Sequence, residues 1–220
     1  MLGCNRGEVA GTLLTADARH AFLFRNGRMT DLGVPSGAFR SDGFAINAAG
    51  HVAGDIDLEP RTAPVAHAAF WSNGRWQDLG LLPGSLDTFG LGINAFDEVV
   101  GDAIVTGDGG SGAFLWNGAM TALPCLPGAS CITASAINND GTIVGNSQTA
   151  TALVWLGKTH TPYDLNALID PRDPLSGQVH LILPASINER GQIATNGCYT
   201  AGPKNGQCFG FVATPTEDRE

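Results

Sequence analysis

Lysine is almost missing from this 220-residue chain: only Lys158 and Lys204 occur, and 12 basic residues face 21 acidic ones for a net charge of -9. A surface that tracks nucleic-acid phosphates needs clustered cations, so nucleic acid is excluded as a partner. Charged residues of both signs make up only 15% of the sequence against 43% hydrophobic ones, which excludes a disordered acidic chain and a coiled coil. No apolar run reaches about 18 residues, because the longest uncharged stretch, 109–139, is broken by Pro124, Pro127 and several glycines. Helical periodicity is absent as well. Glycine is plentiful at 30 residues, with 12 prolines, and this much turn chemistry predicts many short strands. The opening MLGCNRGE has no basic and apolar leader; Leu2-Gly3-Cys4 resembles the end of a lipoprotein cleavage box, without the apolar run that box requires.

The chain repeats itself. INAAGHVAG, INAFDEVVG, INNDGTIVG and INERGQIAT begin at Ile46, Ile93, Ile137 and Ile187, and NRGEVAG, ending at Gly11, is a degenerate first copy. After each comes a second box: HAFLFRNGRMTDLG, HAAFWSNGRWQDLG, GAFLWNGAMTALP, ALVWLGKTHTPYDLN and FGFVATP. The period of 43 to 50 residues gives approximate repeats 1–40, 41–88, 89–131, 132–178 and 179–215, followed by a tail at 216–220 expected to be disordered.

Each copy carries four strand candidates, a to d; in the third they lie near 91–94, 98–103, 113–116 and 120–123. Asn-x-x-Gly marks the a–b turn in the second and fourth copies, and Asn26-Gly27, Asn73-Gly74 and Asn117-Gly118 mark the c–d turn as type I′ hairpins. Four-stranded units of this size bury their faces by stacking side by side, so the expected fold is all-β: a β-propeller of about five blade-like repeats in one domain, the last blade incomplete. Phe24, Trp71, Trp116 and Trp155 recur on strand c and are expected to pack between blades. His20 and His67 share a repeat position, as do Asp31, Asp78 and Asp164. Recurrence in successive units argues for structure over chemistry, with a backbone hydrogen bond expected for the histidines.

These boxes resemble the HAF repeat family of bacterial proteins, named for the triplet present as His20-Ala21-Phe22. The pattern IN-x-x-G-x-V-V-G followed by HAFLW-x-NG-x-M-x-DLG runs from about Gly7 to Pro215. Later copies drift: Ala-Ala-Phe follows His67, and the fifth copy closes on GFVATP. The resemblance implies repetition and an extracellular or periplasmic location, and it supplies no catalytic residue.

Cys125/Cys131 and Cys198/Cys208 each flank a short loop and are expected to form disulfides, which requires an oxidising compartment; their spacing is not that of a zinc site, and Cys4 is left over. By resemblance to WD-type blades, with a innermost, the long b–c and d–a loops crowd one face. That face is the expected binding surface. Its candidate residues are Asp55, Asp57 and Glu59 in the 54–67 loop, Asp87 in 81–88, Asp102 and Asp108 in 101–112, and Arg172 and Asp173 in 166–178. The alternation Asp55/Asp57/Glu59 offers oxygen donors to Ca2+, although the glycine and distal glutamate of an EF-hand loop are missing, and no other cofactor is indicated. Asp55, Asp87, Asp102 and Asp173 are the candidates for an acid and base pair in a glycosidase or lyase. No GxSxG or HExxH motif occurs. The expectation is a monomeric, non-enzymatic binder of protein or glycan, with a carbohydrate-active enzyme and a structural cell-surface protein as alternatives.

Overall fold

The computed structural model describes residues 7–14, 19–58, 65–105 and 111–216. It is all-β, with eighteen strands in five antiparallel sheets and, among the described residues, no α-helix. The first sheet is β1 (Val9–Leu14), β2 (Arg19–Arg25) and β3 (Arg28–Asp31); the second is β4 (Arg40–Ile46), β5 (Val52–Asp57), β6 (Ala66–Ser72) and β7 (Arg75–Gly80). The third is β8 (Ser85–Ile93), β9 (Val99–Val105), β10 (Ser111–Trp116) and β11 (Met120–Ala122). β12 (Cys131–Ile137), β13 (Ile143–Ser147), β14 (Ala152–Leu156) and β15 (Thr161–Asp164) form the fourth. The fifth is β16 (Val179–Ile187), β17 (Ile193–Tyr199) and β18 (Cys208–Ala213). Every sheet follows chain order, so the four strand candidates become sheet neighbours a-b-c-d. Among the described residues the first sheet holds b, c and d, and the fifth a, b and c. No helix among the described residues is long and apolar enough to cross a membrane.

The turns follow the residues assigned to them. Asn26-Gly27 and Asn73-Gly74 have positive φ at both positions, as a two-residue hairpin with the handedness of its strands requires. Asn117 departs from this. The third copy lacks the residue that precedes Asn in the first two (Arg25, Ser72), so Trp116 pairs with Met120 across three residues and only Gly118 has positive φ. In each a–b turn the Asn carbonyl accepts two backbone N–H groups: Asn47 from Ala49 and His51 (both 3.0 Å), Asn94 from Phe96 and Glu98, Asn138 from Asp140 and Thr142, and Asn188 from Arg190 and Gln192.

Contacts divide the chain into two compact units, one ending at Ala122 and the other starting at Leu123. In the first unit the inner strand of each sheet lies on the face of the preceding one, β4 on β1 and β2, and β8 on β4, β5 and β6. Val52 packs with Ala10, Ala21 and Leu23 of the first sheet, whereas its neighbour Ala53 packs with Ile93, Val99 and Phe114 of the third. β5 is therefore covered on both faces and wholly buried, which explains why the repeat reads as a continuous Val-Ala-Gly instead of alternating. Trp71 packs against the cluster that the first two sheets share and Trp116 lies 5.6 Å from Phe70 of the second sheet, so these two recurrent aromatics sit at junctions between sheets. In the second unit β16 covers β12, β13 and β14, and the fully buried Trp155 donates its indole N–H to Pro124 O at 2.7 Å.

In the second, third and fourth copies the glycine that ends the first box answers to a bulge. A register shift in the inner strand turns a carbonyl onto it, so that a Cβ on Gly54, Gly101 or Gly145 would lie 1.8, 1.8 or 1.9 Å from the oxygen of Asp42, Phe89 or Thr133. Both expected disulfides, Cys125–Cys131 and Cys198–Cys208, are present. Cys4 lies outside the described residues.

Candidate functional site

The recurrent His–Asp pairs are structural, but their contact differs from the backbone bond expected. His20 Nδ1 meets Asp31 Oδ2 at 2.9 Å and His67 Nδ1 meets Asp78 at 3.0 Å, while each aspartate also accepts a backbone N–H, from Gly33 or Gly80. Each pair thus ties strand c to the end of strand d in its own sheet.

A different group of side chains gathers at the strand ends from which the b–c and d–a loops leave. There Arg19, Arg40, Asp42, Phe44, Asp55, Asp57, Ala66, Asp87 and Phe89 line a cleft of about 180 Å³ in the first unit. It draws on three successive sheets: Arg19 from β2, Arg40, Asp42 and Phe44 from β4, Asp55 and Asp57 from β5, Ala66 from β6, and Asp87 and Phe89 from β8. Asp55 and Asp57 do not sit in a loop, where the sequence reading puts them with Glu59. They continue β5, buried, with Cα partners Asp42 and Arg40 across the ladder. Asp87 likewise belongs to β8, where its carboxylate accepts the Ala66 N–H of the preceding sheet at 2.8 Å. Asp102 is on β9.

Two carboxylates of the cleft are neutralised. Asp42 holds Arg19 at 2.6 Å, and Asp57 holds Arg40. Asp55 is 4% exposed, and its Oδ1 has no hydrogen-bond partner among the described residues. Burial, followed by the neighbouring Asp42 charge, pushes its carboxyl up to about 7 despite the opposing pull of Arg19 and Arg40. Asp102 repeats the pattern, its Oδ1 unpartnered and its carboxyl raised by burial to about 6. The two occupy one repeat position, directly after the box glycine, where the five copies read Thr12, Asp55, Asp102, Asn146 and Asn196. Reading down that column would have singled out Asp55 and Asp102. Arg19, Arg40 and Asp42 carry no motif of their own, and only the packing of successive sheets assembles them.

The other candidates are not in this cleft. Arg172 and Asp173 belong to the second unit and are engaged in their own turn: Arg172 pairs with Asp170 at 2.6 Å, and Asp173 accepts the Leu175 N–H. Glu59 and Asp108 lie outside the described residues. Among the described residues no three His, Cys, Asp or Glu side chains are grouped to hold a metal ion; in the stretch expected to offer Ca2+ ligands, Asp57 is taken by Arg40.

No family model matches the chain, and no curated protein does. Among solved structures it is similar to an acylaminoacyl peptidase of Pyrococcus horikoshii in its orthorhombic crystal form, with a TM-score of 0.49 and 13% identity over 92% of this chain. The match spans about a third of the peptidase, 33% of its length, and is too slight to bear on activity.

Proposed function

We propose that this chain is a secreted or periplasmic repeat protein of the HAF type, its five sheets serving as blades of a β-propeller. In this reading it is a non-enzymatic binder that recognises protein or glycan through the cleft of its first unit. The observation that carries the site is Asp55. A buried carboxyl oxygen left without a donor costs about 1–3 kcal/mol, and a ligand donor placed on Asp55 Oδ1 offsets that cost. The location at the loop-bearing strand ends fits a fold in which variable loops surround the recognition surface. The two disulfides are compatible with an oxidising compartment.

A second reading, a glycoside-cleaving enzyme, draws on one feature: Asp55, raised to about 7 by burial, faces Asp42, which is paired with Arg19. Two opposed carboxyls, one of them with its proton affinity raised, are the starting requirement for an acid and a nucleophile. One experiment addresses both readings. Wild-type protein and Asp55→Asn are applied to glycan and peptide arrays, and the glycan hits are assayed for hydrolysis. Binding that weakens at least tenfold in the variant, without turnover, supports the binder. Turnover lost in the variant replaces it with the enzyme, and array binding equal in both proteins removes the cleft from either reading.

A further inference from the structure

The charges of the cleft do not balance. Four carboxylates line it against two guanidinium groups, and both guanidinium groups are committed, Arg19 to Asp42 and Arg40 to Asp57. Among the described residues Asp55 and Asp87 have no salt-bridge partner. Asp87 accepts one backbone N–H, and Asp55 Oδ1 accepts nothing among the described residues although the residue is 96% buried at 4% exposure. What the cleft lacks is a positive charge that brings several hydrogen-bond donors. A divalent metal ion needs six to eight oxygen ligands on a roomy scale, and no group of three acidic side chains is placed for one among the described residues. An ammonium group supplies one charge and three donors in a compact head. Phe44 and Phe89 offer apolar surface beside these carboxylates. The volume, about 180 Å³, is close to that of an engineered cavity of about 150 Å³ that takes benzene, so the ligand part held here is small.

We infer that the cleft binds a primary ammonium group on a short aliphatic stem, the ammonium donating to Asp55 Oδ1 and Asp87 and the stem lying along Phe44 and Phe89. This deepens the binding reading above and rests on it. Lysine side chains present this chemistry, and amino sugars present the same head on a polar ring.

Binding is coupled to protons. Among the described residues the groups that face Asp55 are Arg19 from β2, Arg40 and Asp42 from β4, Asp57 from β5 itself, Asp87 from β8 and Asp102 from β9; β6 sets Ala68 opposite Asp55 and Ala66 opposite Asp57, and its one titratable residue, His67, stands opposite Ile56 and is paired with Asp78. With the Asp55 carboxyl near 7, most copies are protonated about one pH unit below that value and most are ionised one unit above it. An ammonium requires the ionised form. The apparent affinity therefore follows the ionised fraction and rises roughly tenfold from about pH 6 to about pH 8.

The test is isothermal titration calorimetry of the intact chain with n-butylammonium chloride at both pH values and constant ionic strength. Each titration is run in two buffers of different ionisation enthalpy, with n-butanol and glucosamine as parallel probes. The expected result is saturable butylammonium binding, tighter by roughly tenfold at the higher pH, with release of close to one proton at the lower pH and at least tenfold loss in Asp55→Asn. Butanol binding as well as butylammonium, or affinity independent of pH, overturns the inference, and glucosamine binding without butylammonium overturns the aliphatic stem. The wild-type pH ratio is informative even if Asp55→Asn fails to fold, and Asp87→Asn, expected to weaken butylammonium without removing its pH dependence, is the second variant. If array ligands depend on Asp55 while butylammonium does not bind, this inference alone fails. If no array ligand depends on Asp55, the site reading fails with it.

Discussion

Asp55 makes the stability of the protein depend on pH in an uncommon direction. Its folded-state carboxyl is raised from 3.8 to about 7, so between those values the native protein binds more protons than the unfolded chain, and stability falls as pH rises through that window. Asp102 adds the same trend up to about 6. Urea unfolding is expected to show a lower midpoint at about pH 8 than at about pH 5, with a difference of a few kcal/mol. Asp55→Asn, with no charge to bury, is expected to raise the midpoint at the higher pH and remove most of the slope. A wild-type midpoint that stays level or rises over this range contradicts the burial of an unpaired Asp55. Glycine supplies a second test at this scale. Gly101→Ala places a methyl 1.8 Å from the Phe89 carbonyl and is expected to cost at least about 2–3 kcal/mol. Gly112→Ala, also on a strand but with no neighbour closer than 3.5 Å, is expected to be neutral or to gain about 0.4–1 kcal/mol. Equal unfolding midpoints for the two variants would refute the bulge contact.

Between elements, Asn47 and Asn138 each fix their own turn and reach the turn of the next repeat. Asn47 accepts two N–H groups within its turn and donates to Asn94 O at 2.9 Å and Asp97 Oδ1 at 2.8 Å, and Asn138 donates to Asn188 O in the second unit. Hydroxyls play a comparable part on the inner strands of the first unit: Ser41 accepts the Ala21 N–H and donates to Gly33 O, and Thr88 does the same with Ala68 and Gly80. Asn47→Ala removes a buried side chain with four hydrogen bonds, one of them to the buried Asn94, and is expected to cost about 2–4 kcal/mol by chemical denaturation, whereas Asn188→Ala, at an exposed turn, is expected to cost about 1 kcal/mol or less. The Asn-x-x-Gly and Asn-Gly turns, the strand order and the disulfide pairs were legible in the sequence because each depends on residues close along the chain. The placement of Asp55 and Asp57 was not. A polar residue after a box glycine reads as the start of a loop, and only the ladder to β4 and the cover from β8 show that the strand runs on and is buried. The bulges that demand Gly54, Gly101 and Gly145 were hidden for the same reason, since a carbonyl from a neighbouring strand leaves no mark on local periodicity.

At the scale of the whole molecule, five similar sequences have become five similar sheets with different burdens. The first unit carries the carboxylate cleft, whereas both disulfides described lie in the second, one bridging Cys125 to the first residue of β12 and one joining β17 to β18. Loops of this size restrict the unfolded chain by about 2–3 kcal/mol each in the chain-entropy account. Reduction is therefore expected to lower amide-exchange protection in 123–216 while leaving 7–122 nearly unchanged, as measured by hydrogen exchange with mass spectrometry; uniform loss across both units contradicts the assignment. Thiol titration of denatured, unreduced protein is expected to count one reactive sulfur, and five would refute the disulfides. The most direct test of the account is a diffraction structure of the protein with the strongest array ligand bound. The prediction is ligand density in the cleft between β5 and β8, with a donor atom on Asp55 Oδ1. Ligand seated elsewhere, with the Asp55 carboxyl still unpartnered, would contradict it.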